Sequence, residues 1–349
     1  MRLPPYPLCA FARSQLYFSV LVIFAYGQLP GENMTKYRDD LPLIGDDIFL
    51  IDGGLETTLV FHESMELPEF AAFVLLQNEQ GRKKLVEYFN TYLSLARRYG
   101  VGFVLESPTW RASSRWGGLL GYSEQELEKI NRQAISLLGA IRDEQESDST
   151  RIVISGCIGP KGDGYVIDEK MTENDSERYH LQQITTFSNT EADLVSAYTI
   201  SYVEEAIGIV RAARSVKMPV VIGFTVETDG RLPSGQSIEE AIETVDMATG
   251  SSTAYYMINC AHPTHFRDAL DGAGSWKRRI RAVRANASSK SHAELDEAEE
   301  LDAGSPSELG QQYRELKAQL INLTVLGGCC GTDRRHIQAI CEVMIGKRS

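Results

Sequence analysis

Short apolar segments rich in β-branched residues alternate along the chain with longer segments whose apolar residues recur at helical spacing. The apolar segments are bounded by Gly, Pro or Asp, which is typical of buried strands. They comprise residues 48–52, 102–106, 151–157, 192–197, 219–224, 254–260, 280–285 and 323–326. The helical segments comprise residues 83–98, 124–142, 203–215, 238–247, 306–320 and 333–346. The pattern therefore predicts eight strands separated by helices.

This order of elements predicts the fold class. Eight strand-then-helix units in one chain are typical of an α/β protein with a (β/α)8 TIM barrel. No linker interrupts the series, so residues 34–349 are interpreted as one barrel domain. Residues 161–180 and 288–305 are longer and more polar than ordinary connections. We expect both to be surface insertions.

The amino-acid composition and the net charge indicate which class of molecule the protein binds. The chain has 349 residues, with 35 Lys and Arg against 48 Asp and Glu, for a net charge of -13. This balance argues against a surface for nucleic acid or anionic membrane, because both need basic patches. The 43% hydrophobic and 24% charged residues are ordinary for a globular protein. Small molecules are therefore the expected partners.

The first 33 residues differ from the rest. Arg2 and Arg13 precede an apolar run at 16–26 that is too short to span a bilayer, and together they are similar to a secretory signal peptide. Met34 offers a second start. One interpretation is an upstream extension or mistaken start outside any fold, and the other is true export. We favour the extension and a cytoplasmic location, because the thiol chemistry described next suits a reducing compartment.

Cysteines follow two of the predicted strands. Residues 327–332 read Gly-Gly-Cys-Cys-Gly-Thr after the eighth strand, and Ile-Asn-Cys at 258–260 ends the sixth. Strand ends of a TIM barrel meet at one mouth, so Cys260, Cys329 and Cys330 could converge there. Three thiolates are a full protein ligand set for a catalytic Zn²⁺ with one open position. Sulfur ligands also favour zinc over magnesium, calcium or manganese.

Other interpretations of nearby residues stay open. A cysteine at a strand end is often a small buried hydrophobe, and we assign Cys157 to core or rim packing. His262 and His265 follow Cys260 closely, but their spacing suits loop or helix-cap roles better than zinc ligation. The acidic run at 294–302 is interpreted as a solvated surface.

Three motifs carry a family resemblance. Asp-Gly-Gly-Leu-Glu-Thr at 52–57, Ile-Asn-Cys at 258–260 and Leu-Gly-Gly-Cys-Cys-Gly-Thr at 326–332 resemble the zinc-dependent homocysteine S-methyltransferases, including the S-methylmethionine- and betaine-dependent enzymes. The resemblance implies a TIM barrel in which Cys260, Cys329 and Cys330 hold Zn²⁺. It also implies methyl transfer from a sulfonium or quaternary ammonium donor to the homocysteine thiolate, which gives methionine.

The resemblance also indicates substrates. The chain has no room for a cobalamin or folate module, so we expect a freely diffusing donor such as S-methylmethionine, S-adenosylmethionine or betaine. Asp52, at the first strand end, is a candidate contact to the amino acid, although an Asp before two glycines also stabilises turns. Asn259 is a candidate to orient the metal site through its amide. Thr109 and Trp110 stand where the family usually has a Thr-aromatic pair.

Two departures from the family leave the substrate open. Tyr198 stands where many members carry a Glu that we associate with the homocysteine ammonium, and a phenol offers no charge. Glu227 is a possible replacement, with a solvated loop acid as the alternative. Arg111 adds a cation whose fork suits a carboxylate. Another small thiol, or a non-catalytic barrel with a structural or redox-sensing zinc–cysteine site, therefore remains an alternative, and a metal-dependent hydrolase is weaker.

Overall fold

Eight parallel strands close into a barrel in which each strand pairs with its sequence neighbours and the last pairs with the first. These contacts come from a computed structural model that describes residues 35–298 and 300–347, so the expectation for residues 1–33 lies outside the described residues. The predicted TIM barrel is confirmed. The strands are β1 (Phe49–Leu50), β2 (Gly102–Glu106), β3 (Ile152–Ile158), β4 (Leu194–Ile200), β5 (Val220–Phe224), β6 (Tyr255–Asn259), β7 (Ile280–Ala285) and β8 (Val325–Gly328).

Helices pack around the barrel and connect its strands. The α-helices are α1 (Leu55–Thr57), α2 (Glu79–Tyr99), α3 (Ser114–Leu119), α4 (Glu124–Gln145), α5 (Glu173–Ser188), α6 (Val203–Ser215), α7 (Ile238–Thr249), α8 (Pro263–Phe266), α9 (His292–Asp296), α10 (Pro306–Gln319) and α11 (Arg334–Met344). All six predicted helical segments are present. Within the described ranges, no helix combines the length and apolarity that a bilayer crossing requires.

One predicted insertion ends in a helix. Residues 161–180 were expected to be a surface insertion, and residues 161–172 form a loop, but α5 begins at Glu173 and includes the rest of this segment. Thr172 caps it by accepting a hydrogen bond from the Asp175 N–H. The buried face of α5 includes Ser176, His180 and Gln183, so polar side chains obscure the apolar periodicity that identifies a helix.

Strand β4 extends further than its sequence pattern predicted. The apolar pattern ended at residue 197, but the strand continues to Ile200 through a shift in pairing register between Ala197 and Ile200. Thr199 within this shift has a φ of 62°. The irregularity ends the simple alternation, and it places Tyr198 inside the strand rather than after it.

The core has two layers, as expected for a closed parallel barrel. Side chains between strands and helices form the larger layer, and alternate strand residues such as Phe49, Val104 and Tyr255 fill the barrel interior. Cys157 and Tyr198 belong to the interior layer. Because nearly every strand residue is buried, most of the strands are largely apolar runs, which explains why all eight could be identified.

Candidate active site

A cavity of about 540 Å³ opens at the carboxyl ends of the strands. Side chains from nearly every strand-to-helix connection line it. This is the end at which TIM-barrel enzymes carry their active sites. The site residues predicted from the sequence are therefore expected in the lining of this one cavity.

The three cysteines assigned as ligands meet at this cavity. Cys260 follows β6, and Cys329 and Cys330 follow β8. Their sulfur atoms all lie within 4.8 Å of one another. Cys260 and Cys329 are bonded to each other in the structure, whereas Cys330 is a free thiol. We call these three residues the sulfur wall.

The sulfur wall suits a zinc ion by its donor chemistry and its spacing. Tetrahedral Zn–S bonds of about 2.3 Å place the sulfur atoms about 3.8 Å apart. The observed spacing accommodates such a group once the Cys260–Cys329 pair is reduced, because only thiolates ligate the metal. Within the described ranges, these three residues are the one cluster of His, Cys, Asp or Glu side chains with this spacing.

The local backbone holds the sulfur atoms in place. Gly54 packs so closely on Cys329 that a Cβ there would lie 2.6 Å from the Cys329 carbonyl oxygen. Cys260 has a φ of 53°, in the left-handed region that favours glycine. The Asn259 amide bonds both the N–H and the hydroxyl of Thr199, each at 3.0 Å, and the Thr199 hydroxyl lies 3.7 Å from the Cys260 sulfur. Asn259 is therefore linked to Cys260 by hydrogen bonds through Thr199.

Asp52 lines the cavity but is already paired. Its Oδ1 accepts a hydrogen bond of 2.6 Å from Arg284 Nη2, and both side chains are buried. Arg284 also donates to the Gly53 and Gly328 carbonyl oxygens, which joins β7 to the ends of β1 and β8. Burial opposes the charge on Arg284, but Asp52 outweighs it and leaves the pKa of Arg284 well above its usual value.

Asp52 lines the cavity, as a contact to the amino acid requires, and it has a structural partner in Arg284 as well. Its carboxylate balances a buried guanidinium and closes the strand ends on one another. The sequence analysis did not identify Arg284. The available signal was a cation near the carboxyl end of an otherwise buried strand, Ile280–Ala285, where an unpaired charge would be costly.

Glu106 is the second residue that the sequence analysis missed. It ends β2, lines the cavity and accepts a hydrogen bond of 2.6 Å from the Tyr198 hydroxyl through Oε1. Its other oxygen, Oε2, is buried and has no partner among the described residues. Burial raises the pKa of Glu106 to about 7, although Tyr198 opposes the shift.

This pair adds to the interpretation of Tyr198. The phenol itself offers no charge, but its hydroxyl donates to a carboxylate contributed by another strand. The suggested replacement, Glu227, is not part of the cavity lining and instead lies 3.4 Å from His292 Nδ1. The signal for Glu106 was an acid at the end of the apolar strand Gly102–Glu106.

The segment after β2 contributes Trp110 and Arg111 to the cavity but not Thr109. Thr109 is fully buried, and its hydroxyl donates to the Cys157 carbonyl oxygen at 2.7 Å. It therefore supports the backbone of β3 behind the residues that line the cavity. The Arg111 guanidinium lies 4.1 Å from the Trp110 ring centroid and 3.4 Å from that of Trp116. Arg111, Glu106 and Tyr198 together are called the charged wall.

Three other residues have the supporting roles expected for them. Cys157 is buried in the barrel interior at the floor of the cavity, and burial raises its thiol pKa well above the usual value. His262 is the N-cap of α8 and accepts from the Thr264 N–H, while burial lowers its pKa to about 4. His265 Nε2 lies 2.9 Å from the Ser289 carbonyl oxygen. Neither histidine belongs to the sulfur cluster.

The two polar insertions meet over the cavity. Tyr165 and His292 have ring centroids 3.9 Å apart, and His292 Nε2 lies 2.6 Å from the Cys260 carbonyl oxygen. Glu294, Glu297 and Glu300 are exposed, as expected of a solvated surface, but Glu300 and Asp302 also line the cavity. The described residues of the segment 288–305 therefore form a roof over the cavity as well as a surface loop.

Acidic side chains outnumber basic ones around the cavity. The two basic residues are Arg111 and Arg284, and Arg284 is neutralised by Asp52. The acidic lining residues are Asp52, Glu56, Glu69, Glu106, Asp163, Glu300 and Asp302. This excess of carboxylates favours a cationic ligand.

Comparison with known proteins identifies the family. Residues 49–344 match the family model for homocysteine S-methyltransferase. The chain is 25% identical over 316 residues to homocysteine S-methyltransferase 1 of Arabidopsis thaliana and 23% identical over 315 residues to that of Brassica oleracea var. italica, covering 83% of this chain and 91% of each relative.

Solved structures agree in fold. The oxidized form of the homocysteine methyltransferase MmuM from Escherichia coli superposes with a TM-score of 0.66 at 17% identity, over 86% of this chain and 97% of that one. Its metallated form gives a TM-score of 0.64 at 17% identity, over 84% and 95% of the two chains. The family model covers most of this chain. The chain therefore belongs to the homocysteine S-methyltransferase family of enzymes.

Proposed function

We propose that this protein transfers a methyl group from a cationic sulfonium or quaternary ammonium donor to the thiolate of homocysteine, giving methionine. The observation that carries the proposal is the meeting of three cysteine sulfurs within 4.8 Å at the mouth of a 540 Å³ cavity. Cys260, Cys329 and Cys330 are assigned as the ligands of a Zn²⁺ ion with one position left for a substrate thiol. Residues 34–349 are proposed to form the catalytic domain.

The metal accounts for the activation of the acceptor. An alkyl thiol with a pKa near 8.5 is mostly protonated at neutral pH, and Zn²⁺ bound by the sulfur wall would supply the positive charge that keeps it as a thiolate. The chain itself fixes the position of that thiol. Asn259 and Thr199 hold Cys260, and Gly54 allows the Cys329 backbone to approach closely.

The charged wall is suited to the amino acid part of homocysteine. Glu106 lines the cavity, and its buried Oε2 has no hydrogen-bond partner within 3.5 Å among the described residues, which is the state expected of a group that accepts a hydrogen bond from a ligand. Tyr198 fixes the carboxylate by donating to its other oxygen. We assign Glu106 as the residue that binds the homocysteine ammonium. It replaces, from β2, the carboxylate that the family carries at the position of Tyr198.

The excess of acidic residues supports a cationic methyl donor. Glu56, Glu69 and Asp163 line the cavity, and no basic residue is paired with them in the described ranges. Such a field attracts a sulfonium or quaternary ammonium group and opposes an anionic donor. S-Methylmethionine, S-adenosylmethionine and betaine all meet this requirement. The roof formed by residues 288–305 shields the thiolate from water, so that the donor methyl group can be held in line with it.

The proposed chemistry suits a reducing compartment. Cys260 and Cys329 must both be thiolates to ligate zinc, and their bonded state would remove two of the three ligands. A cytoplasmic location satisfies this condition.

Metal content and the response to a thiol test the proposal together. The reduced protein is expected to bind one equivalent of zinc, and a cobalt-substituted sample should change its visible absorption when homocysteine is added. A matrix of the three donors against homocysteine and other small thiols then identifies the substrates by methyl-product formation. A tightly held metal ion indifferent to every thiol would instead support a structural zinc–cysteine site.

A further inference from the structure

Arg111 presents a buried guanidinium whose donors are unused. The residue is 8% exposed and lines the cavity. Its Nε and Nη1 atoms are buried and have no hydrogen-bond partner among the described residues. Burial lowers the pKa of Arg111 only to about 10, so the group remains charged at neutral pH. An orphaned charge of this kind is costly in a folded protein, which indicates that a ligand pairs with it.

The side chain is held in a fixed plane. The guanidinium lies over the rings of both Trp110 and Trp116, whose centroids are 4.1 Å and 3.4 Å from its central carbon. Trp116 is itself anchored by a hydrogen bond of 3.2 Å from Nε1 to the Pro160 carbonyl oxygen. Stacking orders the fork without using its N–H groups, which leaves its edge free for a planar, bidentate acceptor.

The resident acids do not satisfy this fork. Asp163, Glu56 and Glu69 are near enough to favour the charged form of Arg111. Within the described ranges, however, Arg111 makes no ion pair within 4.0 Å of any carboxylate. Arg284, the other basic residue of the cavity, is paired with Asp52 and donates through Nε and Nη2 to two carbonyl oxygens as well. Arg111 is thus the cation of the lining that is left for an incoming anionic group.

We propose that Arg111 is a specificity-determining residue that binds the carboxylate of a substrate, and this inference rests on the proposed methyl transfer. Arg111 and the surrounding acids would then recognise opposite ends of one dipolar molecule. The carboxylate can belong to the thiol acceptor or to the methyl donor, because homocysteine, S-methylmethionine and betaine all carry one. The cavity therefore selects against small thiols and onium donors that lack a carboxylate.

The stacking of Arg111 on Trp110 and Trp116 also determines which residues can recognise the cationic group of the methyl donor. Faces of Trp110 and Trp116 that could surround an onium group are covered by the guanidinium. The cation of the donor must therefore be recognised by carboxylates, while the fork of Arg111 fixes the other end. Two-point binding of this type orients the methyl group relative to the thiol.

Titration calorimetry on the full-length, zinc-loaded protein tests the inference with matched ligand pairs. Homocysteine is compared with 3-aminopropane-1-thiol, which is the same thiol without the carboxylate. Betaine is compared with tetramethylammonium, and S-methylmethionine with the corresponding sulfonium without its carboxylate. In the wild-type protein, the carboxylate should strengthen binding by about 10- to 100-fold in at least one pair.

Substitution then assigns that preference to Arg111. Arg111→Gln should reduce binding of the carboxylate-bearing member of the responsive pair by about 10- to 100-fold and leave its partner within about threefold. Arg111→Lys keeps the charge but not the fork, and should fall between the two. Arg115→Gln is the control, because Arg115 is exposed, lies on the same segment and is not part of the cavity lining.

The results separate this inference from the proposed function. Equal binding of both members of every pair by the wild-type protein overturns the role of Arg111, even if methyl transfer is observed. An equal loss of both members in Arg111→Gln, with circular dichroism unchanged, assigns Arg111 to wall structure and also overturns it. Failure of the proposed methyl transfer would show instead as no product from any donor and thiol, while the calorimetric preference could still be measured.

Discussion

The two walls of the cavity differ in how their polar groups are satisfied. On the sulfur wall, Asn259 and Thr199 hold Cys260, and the three sulfurs are close enough to share one ion. On the charged wall, one oxygen of Glu106 and two nitrogens of Arg111 are buried without a partner among the described residues. A preassembled set of soft ligands suits an ion that stays bound. Unpaired charges suit a ligand that arrives and leaves, because binding removes the cost of burying them.

The walls are also built differently. Cys260, Cys329 and Cys330 lie in short local motifs after β6 and β8, with Cys260 also contacted by Thr199 of β4, whereas Glu106 and Tyr198 of the charged wall come from β2 and β4. These two strand pairs occupy opposite sides of the closed barrel. Changes to either wall should therefore have separable effects on metal and on substrate binding.

The largest effect is expected from the sulfur wall. Cys330→Ser, like Cys329→Ser, should reduce zinc binding below detection and lower methyl transfer by at least about 1000-fold, because a hydroxyl is a poor substitute for a thiolate ligand. Zinc content by elemental analysis and initial rates measure the two effects. Cys341→Ala is a matched control, since Cys341 is a buried cysteine of α11 outside the cavity. Full activity in Cys330→Ser would contradict the metal assignment.

The second-largest effect is expected from the Asp52–Arg284 ion pair, which joins β7 to the ends of β1 and β8. Arg284→Met leaves Asp52 buried without its partner and should lower the free energy of unfolding by about 3–5 kcal/mol, measured by urea denaturation. It should also weaken zinc binding, because Arg284 donates to the Gly328 carbonyl oxygen beside Cys329.

A second buried ion pair provides the control for this variant. Arg142 pairs with Asp193 at 2.9 Å, and Asp193 directly precedes β4, at the opposite end of the barrel from the cavity. Arg142→Met should be destabilising to a similar degree. It should leave the zinc affinity of the folded protein unchanged. Equal zinc affinities in the two variants would separate the Asp52–Arg284 pair from the sulfur wall.

A smaller effect is expected from the charged wall. Glu106→Gln removes the carboxylate assigned to the substrate ammonium and keeps the side-chain shape. It should weaken homocysteine binding by about 10- to 100-fold at pH 7.5, with zinc content unchanged. Tyr198→Phe should have a weaker effect in the same direction, because it removes only the hydrogen bond that positions Glu106. Loss of zinc in Glu106→Gln would mean that the two walls are not independent.

The smallest effect is the pH dependence of ligand binding. Burial raises the pKa of Glu106 from 4.5 to about 7, so its carboxylate gains charge as the pH rises through 7. Binding of methionine, which has no thiol to titrate, should strengthen about eightfold from pH 6 to pH 7.5, following the ionised fraction. Glu56 also has a pKa raised to about 7 by burial. The same titration of Glu106→Gln therefore shows which acid is responsible, and an unchanged slope would assign it to Glu56.

The raised pKa of Glu106 affects the stability of the fold in the direction opposite to its effect on ligand binding. Because the folded pKa of Glu106 exceeds the usual value, the folded state binds more protons than the unfolded state between about pH 4.5 and 7. The contribution of Glu106 to stability is therefore fully present at low pH and is lost as the pH rises through 7. Ligand binding and fold stability respond to this group in opposite directions.

The sequence predicted the barrel better than its details. All eight strands were identified because most of their residues are buried and apolar. Helix α5 was missed because Ser176, His180 and Gln183 occupy its inner face. The end of β4 was misplaced because a change in register near Thr199 follows from pairing with β5 and leaves no local pattern.

The residues of the candidate site were likewise predicted from the sequence only in part. The cysteines could be found because two short motifs contain them and the fold brings strand ends together. The partners Asp52 with Arg284 and Tyr198 with Glu106 could not, because each pair joins residues far apart in the sequence. Their contact depends on barrel closure and on side-chain direction. The sequence signal that could have identified Glu106 and Arg284 was a charged residue at or near the carboxyl end of a buried strand.

The left-handed backbone at Cys260 has a consequence for how this protein can change over time. A residue with a Cβ pays about 1–2 kcal/mol for that conformation, and glycine pays none. Replacement by glycine would relieve this strain while removing a small buried side chain, so the two effects largely offset one another. Selection for a stable barrel alone would therefore not preserve the cysteine at this position. Selection for metal binding in the proposed reaction would preserve it, and drift after a loss of that requirement should reach this position early.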